Sequence, residues 1–363
     1  MADLEAMNQA LVELIKARGH LRSPAVEAAF AAVPRHLFLP GVPPEEAYRD
    51  QAIMTKRVDG MPVSSSSQPA IMAEMLEQLD VRPGHSVLEV GAGTGYNAAL
   101  LRHLVGSRGS VVSVDIDPDI VAAARAHLKA AGCERVQVIH GDGGYGHPQQ
   151  SPYDRIIVTV GASDVPPAWR EQLKPGGRLV VPLVLVGVQA SVAFVRRLET
   201  LESVAITCCG FMPMRGAFAV TPIQLGSIEE QWKDTRREAP IESPPDPRAL
   251  LEGFHLWVAM RDRGYVALAP DERSYSFGVR SHDSLGLVVI GDSGNAVLRT
   301  YGPGESAGER LRRHLAGWVG AGRPGVDRLR VTSLPAQVVP RPRQGDLLLR
   351  RPSTTLVLSP LRI

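Results

Sequence analysis

One short apolar run ends in an acid and three alternating glycines: Glu89-Val90-Gly91-Ala92-Gly93-Thr94-Gly95. Glycines at that spacing let the backbone turn sharply and pass close to a ligand where a β-carbon would collide. Alone the pattern is weak, because glycine turns follow strands throughout doubly wound sheets. Two further acids give it direction. Asp115 ends the next predicted strand, where a carboxylate can accept both hydroxyls of a ribose. Asp142, in Gly141-Asp142-Gly143 after the third strand, is placed to accept from an adenine amino group.

Glu89 decides between cofactors. A carboxylate beside the glycine loop repels a pyrophosphate, and a dinucleotide needs that helix end free of negative charge. S-adenosylmethionine has no phosphate and carries an ammonium and a sulfonium. Three acids in register therefore favour S-adenosylmethionine over NAD. Each acid taken singly reads as an ordinary turn or cap residue.

Upstream lies Ser64-Ser65-Ser66-Ser67-Gln68-Pro69. Methyl transfer to a carboxylate, already ionised at neutral pH, needs no strong base; the task is positioning and desolvation. A hydroxyl can hold one carboxylate oxygen while the other attacks, and such a bond to a charged group contributes roughly 1.5–3 kcal/mol. Ser67 takes this role in our reading, with Ser66 the main rival within the run. The competing reading is that Ser67 caps the helix starting at Gln68-Pro69. The two roles are compatible, since a helix start also favours an anion.

The elements that must position these residues alternate. SVLEV (86–90), SVVSVD (110–115), RVQVIH (135–140), DRIIVTV (154–160) and RLVVPLVLV (178–186) read as strands, with helical apolar spacing between them. That alternation means a mostly parallel, doubly wound α/β sheet covered on both faces. SVAFVRR and SVAITCCGFM follow too closely for a crossover helix and should pair antiparallel at one edge. Helices are expected over residues 2–18, 24–33 and 68–79, the second with Ser23 as N-cap before Pro24.

Beyond Gly216 the pattern changes. Residues 217–249 read as a linker, and residues 250–363 as a smaller C-terminal α+β domain with strands near YVALA, SFGVR, LGLVVIG and AVLRTYG, then a helix and a last strand, DRLRVTSL. Residues 217–363 hold 20 basic and 16 acidic side chains, and the last 53 residues hold ten arginines, Arg312 to Arg362, against Asp327 and Asp346. An arginine-rich soluble surface explains this; docking of an acidic chain is the sharper reading.

Composition excludes several classes. A chain of 363 residues, 44% apolar and 21% charged, is globular rather than disordered, and glycine plus proline (64 residues) show no repeat. Three cysteines without C-x-x-C spacing build neither a disulfide framework nor a zinc site, so no metal is expected and a reducing, cytoplasmic setting fits. The longest uncharged stretch, 17 residues between Arg178 and Arg196, is too short and too polar for a membrane span. Nothing in the pattern calls for nucleic acid or membrane as a partner.

The acid-flanked glycine loop, the acid after strand two, G-D-G after strand three and YDRIIVTVGA…LKPGGRLVVP together resemble class I S-adenosylmethionine methyltransferases. PRHLFLP (34–40), SSSSQPAIMAEML (64–76), GDGGYGHPQQSPYDRIIVTVGA (141–162) and FMPMRG (211–216) narrow the resemblance to protein-L-isoaspartate O-methyltransferases, over residues 20–216. That resemblance implies cofactor contacts at Glu89, Gly91, Gly93, Gly95, Asp115, Ile116, Asp142 and Gly143. It implies acceptor contacts at Val63, Ser66, Ser67 and Gly161, with Ser67 matching the serine of the family's T-I-S-x-P motif. Val63 stands where the family usually has glycine, and Ala70 where an aromatic or histidine is often found.

The 147-residue continuation resembles an actinobacterial subgroup associated with ribosomally made, modified peptides, including lanthipeptides and graspetides. This implies methylation of an aspartate in a modified precursor peptide, leading through a succinimide (aspartimide) to isoaspartate, with the C-terminal domain holding the peptide. The alternative is a protein-L-isoaspartate repair enzyme with an added domain.

Overall fold

The buried runs of the sequence become the middle of one large sheet. The computed structural model describes residues 3–186, 188–219, 228, 230–241, 245–271, 274–291 and 295–360. Gly187, Arg362 and much of the expected linker lie outside the described residues.

Three helices open the chain: α1 (Leu4–Ala17), α2 (Pro24–Ala32) and the single turn α3 (Pro44–Ala47). Ser23 Oγ accepts the Val26 N–H at 3.4 Å, the expected cap ahead of proline. A hairpin, β1 (Ile53–Val58) and β2 (Met61–Ser66), then leads into α4 (Pro69–Leu79). The serine run is thus the end of a strand, with Ser66 opposite Ile53 and Ser65 opposite Met54.

The α/β expectation holds over the next stretch. β3 (Ser86–Val90), α5 (Tyr96–Val105), β4 (Ser110–Asp115), α6 (Pro118–Ala130), β5 (Gln137–His140), β6 (Tyr153–Val158), α7 (Pro167–Glu171) and β7 (Leu173–Val184) alternate, and their five strands pair in parallel in the order β7-β6-β3-β4-β5. Both faces are covered, so Val87, Leu88, Ile156 and Leu179 are fully buried. β8 (Gln189–Arg197) and β9 (Thr200–Cys208) add antiparallel, as their short connection requires. The chain order reverses at β3, between β4 and β6, the place where sheets of this kind open a crevice at their carboxyl ends.

The C-terminal part differs from expectation. β10 (Arg237–Pro240), inside the segment read as linker, pairs with β14 (Ala296–Tyr301). The helix α8 (Pro247–Ala249) runs through a π turn, Leu250–Phe254, into α9 (His255–Arg261). β11 (Tyr265–Asp271), β12 (Ser274–Arg280) and β13 (Leu285–Gly291) complete a five-stranded antiparallel sheet ordered β10-β14-β13-β12-β11. Phe254, Phe277, Leu311 and Trp318 fill its core beneath α9 and α10 (Ser306–Gly320).

The final strands leave that unit. β15 (Leu329–Pro335), β16 (Leu347–Arg350) and β17 (Thr354–Pro360) join the main sheet, which becomes ten-stranded in the order β16-β17-β15-β9-β8-β7-β6-β3-β4-β5. Thr332 and Ser333 pair with Glu202 and Leu201 of β9, so 250–363 is not one self-contained domain. An uncovered β9 would present unpaired backbone groups, and the docked strand covers the part of that edge at Leu201 and Glu202. Val331, Leu356 and Leu358, all fully buried, join Phe194 and Trp169 in one core cluster. Each such side chain contributes about 1.5–3 kcal/mol of burial. Among the described residues, no helix is long and apolar enough to cross a membrane.

Candidate active site

The carboxyl ends of β3 and β4 open onto a cavity of about 940 Å³. Its wall brings together Val63, Ser66, Ser67, Gly91, Gly93, Asp115, Ile116 and Gly143, eight of the residues singled out by sequence. Gly91 has φ +97°. A β-carbon there would sit 2.6 Å from Thr159 Oγ1, whose hydroxyl donates to the Gly91 carbonyl at 2.7 Å, so only glycine fits.

Asp115 is 7% exposed. Its Oδ2 accepts the Gly93 N–H and its Oδ1 the Asp117 N–H, both at 3.1 Å. Each oxygen keeps a second lone pair for a diol. Burial pushes its pKa up, against the two backbone bonds. An ionised Asp115 is thus held by bonds that also fix the loop.

Three expected cofactor contacts, Glu89, Gly95 and Asp142, lie next to residues of the wall. Glu89 is fully buried, and its carboxylate accepts from Asn97 Nδ2, a residue of the cavity wall, at 2.7 Å and from Ser113 Oγ. Burial pushes its pKa up to about 7, opposed by the Ser113 and Asn97 bonds. Asp142 accepts the Gly144 N–H at Oδ1, 2.9 Å, and the Ala217 N–H at Oδ2, 2.7 Å, and its neighbour Gly143 is on the wall. Gly95 begins α5 with φ +87°, and a β-carbon would press on the Ala124 carbonyl of α6 at 3.3 Å. These three residues shape the loops that contact a ligand.

Gly161 is also a correction. Its N–H donates to the Met212 carbonyl and its carbonyl accepts the Met214 N–H, both at 2.7 Å. It stitches the 211–216 segment to the sheet and does not line the cavity.

Strand alternation in β2 buries Ser64 and Ser66 and leaves Ser65 half-buried. Ser67, just past the strand, is half-buried on the wall and its hydroxyl bonds no described residue. The capping role is taken elsewhere. Asp50 Oδ1 accepts the Ala70 N–H at 2.9 Å, and Gln68 Nε2 donates to Asp50 Oδ2 at 3.1 Å. Arg18 pairs with the same carboxylate at 3.0 Å. The Ser67 hydroxyl therefore stays available at the start of α4.

Several residues that shape the site escaped sequence reasoning. Arg215 pairs with Asp117 through two bonds, at 3.2 and 2.8 Å, and Lys56 reaches Asp117 at 3.1 Å, tying the FMPMRG segment, the hairpin and α6 together at the mouth. The Arg215 bonds, with Lys56, hold the Asp117 pKa down. Trp169 is fully buried and donates from Nε1 to the Gly143 carbonyl at 2.8 Å. The FMPMRG segment was the available signal for Arg215; Asp50 had none, since its partner lies 20 residues on.

The far wall comes from the C-terminal part: Arg248, Leu251, Glu252 and His255, with Arg248 Nε 2.6 Å from Glu252 Oε1. Cys208 and Cys209 stand on this wall half-buried. Burial, then Glu252, pushes the Cys208 thiol up to about 12, so it stays neutral. His255 stacks on Phe277 with ring centroids 4.2 Å apart, and burial pulls its pKa down to about 3. Among the described residues no three His, Cys, Asp or Glu side chains converge as a metal site.

A crevice at the reversal point, a glycine loop and an acid after the second strand are the features of a class I methyltransferase fold. Residues 6–217 match the family described as protein-L-isoaspartate(D-aspartate) O-methyltransferase. The chain belongs to that family, whose members are S-adenosylmethionine-dependent protein carboxyl methyltransferases. Curated relatives agree. A protein-L-isoaspartate O-methyltransferase of Methanopyrus kandleri is 47% identical over 174 residues, 48% of this chain and 75% of the relative. One from Thermotoga maritima is 35% identical over 237 residues, 65% of this chain and 72% of the relative.

Among solved structures, a protein-L-isoaspartate O-methyltransferase aligns with TM-score 0.57 and 27% identity over 90% of this chain and 96% of its own. A Plasmodium falciparum chain described as a protein-L-isoaspartate O-methyltransferase in complex with S-adenosyl-L-homocysteine aligns with TM-score 0.52 and 18% identity over 57% of this chain and 98% of its own, a likeness of fold.

Proposed function

We propose that this enzyme methylates the free carboxylate of L-isoaspartyl residues in proteins and peptides, using S-adenosylmethionine. The observation that carries the reading is that Ser67, whose hydroxyl has no hydrogen-bond partner among the described residues, lines one cavity with Gly91, Gly93 and Asp115. The residues fit the cofactor: Asp115 keeps lone pairs for a ribose diol, and Gly91 leaves room for close backbone approach.

Bound S-adenosylmethionine supplies a methyl group on a positively charged sulfur. The chain does the rest. Gly91, Gly93, Asp115, Ile116 and Gly143 hold the donor, while Glu89, Gly95 and Asp142 brace the loops that carry them. Ser67 donates to one oxygen of the acceptor carboxylate, leaving the other free to attack. No side chain need remove a proton, because the acceptor is already an anion; positioning and exclusion of water supply the rate. Val63 and Ser66 border the acceptor position.

The modified-peptide reading rested on the C-terminal continuation. A solved protein-L-isoaspartate O-methyltransferase aligned over 90% of this chain carries most of that continuation too, which supports the repair-type acceptor over the ribosomal-peptide one. The C-terminal part still takes a share in acceptor choice through Arg248, Leu251 and Glu252. The test compares synthetic isoaspartyl and aspartyl peptides of one sequence with S-adenosylmethionine, read by mass as a gain of about 14 Da. Methylation of the isoaspartyl peptide alone is expected. Turnover confined to an aspartate in a ring-constrained ribosomal peptide would overturn the proposal.

A further inference from the structure

Behind the serine run lies a cation with no carboxylate bonded to it. Arg35, in the PRHLFLP segment, has 0% of its surface exposed. Its Nη2 donates to the Gln51 carbonyl at 3.2 Å and, weakly, to the Ser66 carbonyl at 3.5 Å. Among the described residues Nε and Nη1 have no hydrogen-bond partner. The guanidinium lies 5.6 Å from the centre of the Tyr96 ring, and the Tyr96 hydroxyl and Ser66 Oγ are likewise buried without partners. Four unpartnered polar atoms thus gather around one buried charge, and two of their owners, Ser66 and Tyr96, line the active-site cavity.

Burying a charge without a bonded counter-ion costs several kcal/mol, so it persists where something else depends on it. Burial lowers the Arg35 pKa, with Tyr96 and Asp50 acting the other way. Asp50 offers little relief, being committed to Arg18, Gln68 and the Ala70 N–H. The Ser66 carbonyl belongs to the same planar peptide as the Ser67 N–H, and in a trans peptide the two point in opposite directions. Turning that carbonyl to Arg35 turns the Ser67 N–H away from Arg35.

We propose that Arg35 is a positioning residue for the acceptor: it sets the Ser66–Ser67 peptide plane and supplies, from beneath the serine run, the positive field that selects an anionic carboxylate. The cavity then prefers the ionised acid over a neutral group of the same shape. This rests on the acceptor reading given above.

The test is calorimetric binding of an isoaspartyl peptide and of its uncharged carboxamide counterpart, with S-adenosylhomocysteine present. Wild-type protein is expected to favour the carboxylate by about tenfold or more. Arg35→Met should bring the two peptides to within about threefold of each other while S-adenosylhomocysteine affinity holds, and Arg35→Lys should restore the preference. Equal weakening of both peptides in Arg35→Met would overturn the inference and leave Arg35 a brace for its turn. If Arg35→Met does not fold, Arg35→Lys decides: preference kept with kcat lowered about tenfold supports the inference, equal weakening of both peptides ends it. Wild-type protein that does not distinguish the peptides removes the acceptor reading and this inference together; a preference surviving in Arg35→Met removes the inference alone.

Discussion

Asp50 caps a helix that starts 19 residues after it: its carboxylate accepts the Ala70 backbone N–H at 2.9 Å. A side chain brought in from another segment takes the capping role that was the competing reading for Ser67, and so leaves the Ser67 hydroxyl uncommitted on the cavity wall. Asp50→Ala should cost about 0.5–2 kcal/mol of stability in urea unfolding, the usual range for a lost cap. It should also lower turnover, because Gln68 and Arg18 lose the anchor that fixes the start of α4.

Ser67→Ala should lower kcat by about 10²–10³, the scale for removing one preorganised donor. Affinity for S-adenosylmethionine, measured by calorimetry, should stay within about twofold of wild type, since Gly91, Gly93 and Asp115 are untouched. Unchanged kcat would move the role to Ser66 or to backbone groups.

Glu89 makes stability depend on pH in an unusual direction. Its pKa rises from 4.5 to about 7 on folding, so between those values the folded chain holds a proton that the unfolded chain releases. Stability from this group is therefore lost as pH rises through the window. Thermal unfolding across that range should show wild type losing more stability toward pH 7 than Glu89→Gln. Parallel curves would mean the carboxyl is already ionised near pH 5.

Cutting the chain at residue 216 should cost solubility as well as any acceptor contact. The cut would strip β15 from β9 and remove Val331, Leu356 and Leu358 from the main core. Leu356→Ala is the milder version, expected to cost about 2–5 kcal/mol in chemical denaturation. Contribution of the C-terminal wall to acceptor choice is better read from Arg248→Ala, whose head group is largely exposed. That variant should alter peptide KM with little change in melting temperature.

The sheet from β3 to β9 was legible because its information is local: apolar runs, crossover helices and glycine turns each declare themselves within a few residues. So was Asp115, which sits at a strand end by register alone. The serine run showed no strand signal because four serines carry no alternation; pairing with Ile53, Met54 and Lys56 makes Ser64 to Ser66 the end of a strand. The docking of β15 on β9 was equally silent, since a strand's partner is not written in its own pattern. Glu89 and Asp142 stood out as acids beside the glycine loop and after the third strand, but the hydrogen bonds that Asn97, Ser113 and the Ala217 N–H give them were not legible, because those partners come from other elements. Arg35 looked like part of a motif and showed no sign of being buried.

The far wall of the cavity is contributed by residues 248–255, more than a hundred and fifty positions after the glycine loop. During synthesis, the loop and the serine run leave the ribosome well before that wall exists. A growing chain thus holds the donor-side fittings while its acceptor chamber still stands open on one flank. The catalyst ripens only when its last third has been made.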